Sequence, residues 1–116
     1  LPKHRREQAE LACAAEALRA LGHPDRLRIV RALQAREACV CELVAALGLR
    51  QPAISQHLAV LRRARLVKSR RDGLFVRYRL NGPLPARLLG AAGLGPEGDR
   101  LEHADRCAPA CQAAER

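Results

Sequence analysis

Between Val40 and Arg63 the apolar residues form two short stripes at helical spacing, separated only by Gly48-Leu49-Arg50. Val40, Leu43 and Leu47 make the first stripe, and Ile54, Leu58 and Leu61 make the second. A three-residue link cannot cross a domain, so the two helices must pack side by side around a tight turn. Gly48 is the natural stop for the first helix, and Pro52 suits the opening turn of the second. This helix, turn and helix unit is the strongest constraint on the fold.

The flanking segments fit around it. Leu11, Ala14, Leu18 and Leu21 predict a helix from about Glu7 to Leu21, ended by Gly22. His23-Pro24-Asp25 restarts a helix whose inner face is Leu27, Val30 and Leu33. After Arg63, two runs flank Asp72-Gly73, from Leu66 to Arg71 and from Leu74 to Leu80. This pattern predicts a hairpin with Asp72 and Gly73 both at φ > 0 in its turn. Val76, Tyr78 and Leu80 fall on one face of the second strand, and Phe75, Arg77 and Arg79 on the other. Tyr78 reads as a packing residue. Leu84, Leu88 and Leu89 predict a further helix, and Arg100 to Ala108 is a weaker helical segment. The expected fold is mainly α with a small β-hairpin, a winged helix-turn-helix. The domain is expected to span residues 1–92, followed by a partly ordered cysteine-containing tail at 93–116.

Charge shows what such a fold faces. Of the formal net charge of +9, residues 50–79 contribute nearly all, with nine basic side chains against the single acid Asp72. So asymmetric a patch is the electrostatic footprint of a polyanion partner. Phe75 and Tyr78 are the only large aromatics, which argues against the stacking platforms of single-strand binders and for double-stranded DNA. In a helix-turn-helix the second helix enters the major groove with its first residues on base edges. Here those are Arg50, Gln51, Ala53, Ser55, Gln56 and His57, with Arg62 further along. Gln pairs bidentately with adenine and Arg with guanine. Arg70, Arg71 and Arg77 of the hairpin are expected to track the backbone or minor groove, which positions more than it specifies. His57 reads as a surface or phosphate-contacting residue rather than a metal ligand.

No run approaches the ~18 apolar residues of a membrane helix, and the basic start Leu1-Pro2-Lys3-His4-Arg5-Arg6 lacks an apolar core behind it. A cytoplasmic location without a membrane partner is expected. Five cysteines, Cys13, Cys39, Cys41, Cys107 and Cys111, are odd in number, which favours metal or redox chemistry over a disulfide framework. Cys39 and Cys41 stand two apart, a spacing that cannot share one face of a regular helix. At a helix N-terminus they can converge, and the dipole there favours the thiolate that soft ions prefer.

The blocks Leu18–Val30, Arg50–Leu61, Arg71-Asp72-Gly73 and Val76–Leu80 occur in the order found in ArsR/SmtB winged-helix repressors. The chain resembles that family over residues ~14–80. The resemblance implies a homodimer formed through the first and last helices, a two-fold operator, and release by an inducer. Arg50 stands where many relatives place a Ser N-cap, which predicts a weaker cap. Glu37-Ala38-Cys39-Val40-Cys41-Glu42-Leu43 is similar to the cysteine box of arsenic-responsive and cadmium/lead-responsive members. The implied inducer is As(III) or Sb(III), with Cd(II), Pb(II) or Zn(II) as the alternative. The third cysteine of the best-known arsenic site is replaced by Val44, so Cys13, Cys107 or Cys111 must complete the set. The family's other metal site, on the last helix, is not reproduced by Asp99, Glu102, His103 and Asp105. A thiol redox or persulfide switch on the same scaffold is the runner-up. An enzyme is disfavoured: there is no Cys-x-x-Cys pair, no Gly-rich phosphate loop and no catalytic histidine set.

Overall fold

A computed structural model describes residues 2–95. The order is α1 (Pro2–Leu21), α2 (Pro24–Ala35), α3 (Val40–Leu47), α4 (Gln51–Arg63), β1 (Val67–Asp72), β2 (Phe75–Leu80) and α5 (Leu84–Ala91). Five helices and one antiparallel hairpin are the mainly α arrangement expected. The helix expected at Arg100–Ala108 and tail residues 96–116 lie outside the described residues.

The helix boundaries have local causes. His23 caps α2, its Nδ1 accepting the Asp25 N–H at 3.1 Å, with Pro24 in the first turn. Gly48 ends α3 at φ +68, donating its N–H to the Val44 carbonyl, a left-handed conformation only Gly takes cheaply. Ile29, Val30, Leu33, Leu43, Ile54, Leu58, Leu61, Leu66 and Leu89 are buried together. One core thus joins α2, α3, α4 and α5, and it holds α4 by its Ile54-Leu58-Leu61 face.

Three details differ from expectation. First, α1 starts at Pro2 rather than near Glu7, since nothing between Lys3 and Arg6 breaks a helix. Its Leu11–Leu18 stripe faces outward, with Leu11 62% and Leu18 58% exposed, while Ala17, Ala20 and Leu21 meet the core. Second, Asp72 pairs with Phe75, so the hairpin turn is Gly73-Leu74. Only Gly73 has positive φ there, the pattern of a turn with Gly first, which matches strand twist. Third, the chain leaves the end of α4 through Arg65 at φ +61, a non-glycine residue in the left-handed region. Bonds from Arg65 N to Arg62 O and Leu66 N to Leu61 O close the helix end. Asn81 then locks it, its Nδ2 donating to the Arg65 carbonyl at 2.9 Å. These bonds fix the angle at which the chain leaves α4 for the hairpin.

Candidate functional site

The N-terminal half of α4 presents Gln51 and Gln56 to solvent, with Ala53 and Ser55 half-buried beside them. Gln51 Nε2 donates to Ser55 Oγ at 3.4 Å, one turn on. Arg62 and Arg63 are exposed at the other end of the helix. Arg50 is the N-cap residue and makes no side-chain cap bond, the weak cap its residue type predicts. Arg50→Ser should therefore raise stability by roughly 0.5–1 kcal/mol in urea unfolding while removing a cation from the reading end. No gain would show that the free α4 amides are already satisfied.

His57 points inward rather than out. Its side chain is 15% exposed, with Nε2 3.9 Å from Asp25 Oδ2 and its ring 4.6 Å from that of His23. Burial, then His23 and Arg26, push its pKa below the ordinary 6.5, with Asp25 opposing. A base with a depressed folded pKa takes up its proton on unfolding. Stability is therefore full above about pH 6.5 and falls as pH drops through the lower folded value. Thermal midpoints read across that range should show this slope, and His57→Gln should flatten it.

The hairpin arginines separate into two kinds. Arg71 is exposed. Arg70 is held by Glu37 through Nε to Oε2 at 2.9 Å and Nη2 to Oε1 at 3.2 Å. That bond, before any longer-range attraction, keeps the Glu37 carboxyl below its usual value. Arg77 is half-buried, with Nε on Asp72 Oδ2 at 3.0 Å and Nη1 on Glu42 Oε1 at 3.2 Å. Its guanidinium also lies 5.6 Å from the Phe75 ring centroid. Two of the three expected hairpin contacts thus have intramolecular acid partners. Alternation along β2 gave the face of Arg77, but its partner lies on α3, beyond the reach of local pattern.

The cysteine box sits where α3 begins. Cys39 is the N-cap residue, fully buried, and its thiol donates to Glu42 Oε1 at 3.2 Å. Glu42, the one buried charged residue among those described, is 4% exposed, and its Oε2 has no hydrogen-bond partner. Its spacing three residues after an N-cap was the available signal, and the sequence reading did not single it out. Cys41, half-buried in the first turn, is disulfide-bonded, a pairing that the odd cysteine count did not predict, whereas Cys39 and Cys13 are reduced. Cys13 is exposed on α1. Cys107 and Cys111 lie outside the described residues.

The box is stitched to the hairpin. Ala38 N donates to Tyr78 O at 3.0 Å, and Tyr78 N to Ala38 O at 2.8 Å, so this segment lies against β2 as a one-residue third strand. With Arg70–Glu37 on one side and Arg77–Glu42 on the other, Cys39 stands inside a web of contacts reaching both hairpin strands. The hydrogen bond to Asp72, before any other contact, holds Arg77 above its ordinary pKa, and Arg77's other partner, Glu42, is the residue that accepts from Cys39. A change at the Cys39 thiol therefore reaches a hairpin side chain through Glu42.

No helix among the described residues is long and apolar enough to cross a membrane. The profile of the bacterial regulatory proteins of the arsR family matches residues 23–69. The chain is 49% identical over 70 residues to the HTH-type transcriptional repressor SmtB of Mycobacterium tuberculosis, covering 60% of this chain and 52% of that protein. It is 40% identical over 91 residues to the nodulation protein NolR of Rhizobium meliloti, covering 78% and 73%. It thus spans about half the length of the SmtB relative. Among solved structures, the homodimeric winged helix-turn-helix DNA-binding domain Mb0332 of Mycobacterium bovis superimposes with TM-score 0.71 at 32% identity, covering 76% and 82%.

Proposed function

The chain belongs to the arsR family of bacterial regulatory proteins, and from that premise we propose that it is a transcriptional repressor. It binds operator DNA as a homodimer and lets go when its cysteines hold a thiophilic metal or metalloid. The observation that carries this reading is the placement of Cys39. A buried thiol at a helix start is bonded to a buried carboxylate, which is bonded in turn to an arginine of the hairpin.

Exposure supports the DNA-facing parts of this reading. Gln51 and Gln56 are exposed for reading base edges, with Arg50 and Arg62 at the two ends of the helix and Arg71 at the hairpin. The homodimer is supported by the exposed Leu11 and Leu18 on α1 and Leu84 on α5, and by the homodimeric relative.

The cysteine box has the chemistry to take a soft ion. Cys39 offers a sulfur, Glu42 an oxygen with no present partner, and Cys41, in the same helical turn, a second sulfur once its disulfide is reduced. A thiophilic ion, when bound, supplies a positive centre in place of the thiol protons. The chain's own residues do the rest. While Cys39 keeps its proton, it donates to Glu42 and leaves that carboxylate balanced against Arg77. Once an ion takes the place of the proton, Cys39 no longer donates to Glu42, and Glu42 Oε1, shared until then between Cys39 and Arg77, is left to divide between Arg77 and the ion. Arg77 lies on β2, so the hairpin feels the change. The inducer shifts operator affinity by as much as it distinguishes the two arrangements.

As(III) or Sb(III) is the first choice for a cysteine box of this kind. The Glu42 oxygen beside Cys39 favours a second reading, Cd(II), Pb(II) or Zn(II), because these ions accept mixed sulfur and oxygen ligands. Fluorescence anisotropy on operator DNA separates the two, titrating arsenite, cadmium, lead and zinc under reducing conditions. Cys39→Ser and Cys41→Ser should each abolish release while leaving affinity without inducer within about threefold. Release by none of the four ions, but by oxidant and reversed by reductant, would replace this reading with a thiol redox switch.

A further inference from the structure

His23, Asp25 and His57 form the one group among the described residues in which three metal-type donor atoms lie within 4.8 Å of one another. They come from the cap and first turn of α2 and from the middle of α4. All three are half-buried. We propose that they form a second, thiol-independent site for a borderline divalent cation of the Zn(II) type, clamping the N-terminus of α2 to the reading helix.

The chemistry of the donors is right for such an ion. Two imidazoles and one carboxylate are a recurrent zinc set that leaves a position for water. Asp25 Oδ2 and His57 Nε2 are 3.9 Å apart, too far for a direct hydrogen bond. Bonds of ~2.0–2.1 Å at tetrahedral angles put two ligands roughly 3.3 Å apart. Small side-chain rotations therefore bring this pair to coordination distance.

The surroundings orient the group. Arg28 Nη1 approaches the other carboxylate oxygen, Asp25 Oδ1, at 3.7 Å, while its Nη2 is anchored on the Leu47 carbonyl at 2.7 Å. Asp25 is thus held by one oxygen and left with the other toward His57, the kind of outer support that steadies metal-binding carboxylates. Arg26, the other nearby cation, donates its Nε to the Ala20 carbonyl. The His23 lone pair at Nδ1 now accepts the Asp25 N–H. Coordination through that atom exchanges a single cap bond for a metal bond, so the Asp25 amide reports occupancy directly.

The test is an NMR titration of the full chain with zinc chloride, following the imidazole resonances and the Asp25 amide. The same titration is run on the Cys39→Ser/Cys41→Ser chain. One equivalent of Zn(II) should shift His23, His57 and the Asp25 amide together in both chains, leaving exposed His4 unmoved. Asp25→Asn and His57→Asn should each weaken zinc affinity at least tenfold by calorimetry. Asp25→Asn, which changes one exchangeable group without altering volume, serves if His57→Asn fails to fold. With Co(II), visible ligand-field bands without sulfur charge transfer should appear in the cysteine-substituted chain. Histidine resonances unmoved by zinc, or shifts confined to the chain with Cys39 and Cys41 intact, overturn the proposal. Loss of the thiol response alone does not touch it, since the two sites share no ligand.

Discussion

Glu42→Ala is expected to lower the unfolding free energy by about 2–3 kcal/mol, the largest loss for any single polar residue among those described. Removing one partner of a buried ion pair leaves the other uncompensated, a loss of roughly 3–5 kcal/mol when both charges are deep. Arg77 is 28% exposed and keeps Asp72, which places the loss at or below the lower end of that range. Glu42 itself is not ideally held, because Oε2 is buried without a partner, a standing cost. Replacing both members by apolar residues, Glu42→Leu with Arg77→Leu, should therefore recover most of the lost stability. Urea unfolding of the two variants measures this through the midpoint at constant m-value. A single-variant loss below about 0.5 kcal/mol would mean that Arg77 needs only Asp72, and the route from Cys39 to the hairpin would lose its middle member.

Leu11→Asp combined with Leu18→Asp should convert the chain to a monomer in sedimentation and cut operator affinity by at least ~100-fold. The two leucines are seven residues apart, hence on one helical face, and both are more than half exposed in a single chain. Their removal from the surface has no intramolecular alternative, since the core side of α1 is already taken by Ala17, Ala20 and Leu21. Tethering two reading helices makes the second contact intramolecular, a gain of about 10²–10⁴ in affinity that a monomer forgoes. Circular dichroism of the variant should be unchanged, because neither leucine is part of the core. A double variant that remains dimeric would move the interface elsewhere.

Much of this fold is legible in the sequence because its signals are local. The stripes of α2, α3 and α4, the Gly48 stop and the Pro52 start all rest on period and backbone stereochemistry. The hairpin was legible too, but its turn slipped by one residue. Asp-Gly satisfies the local turn preference, yet strand pairing put Gly73 first and drew Asp72 into the ladder, where it meets Arg77. Arg65 gave no warning. Positive φ is usually announced by Gly or Asn, and here tertiary bonds from Asn81 to Arg65 and Leu66 support it. Periodicity placed Leu11 and Leu18 on a stripe but could not say whether the stripe faces its own core or another surface.

The candidate site divides the same way. Cys39 and Cys41 at a helix start follow from spacing alone. Glu42 and Arg77 are 35 residues apart, and their meeting depends on how the hairpin docks against α3. For the same reason the sequence offered His57 to DNA, whereas packing turned it toward His23 and Asp25.

The paired hydrogen bonds between Ala38 and Tyr78 carry a kinetic consequence. Two amides, one beside the thiol and one in the hairpin, are closed by the same bridge and must open together. Their deuterium uptake is therefore a matched pair of clocks, one at each end of the path from sensor to wing. If the cysteine box loosens its hold on the hairpin, both clocks quicken by the same factor. If the hairpin moves as a rigid attachment of the box, both keep their slow rate while the flanking amides change.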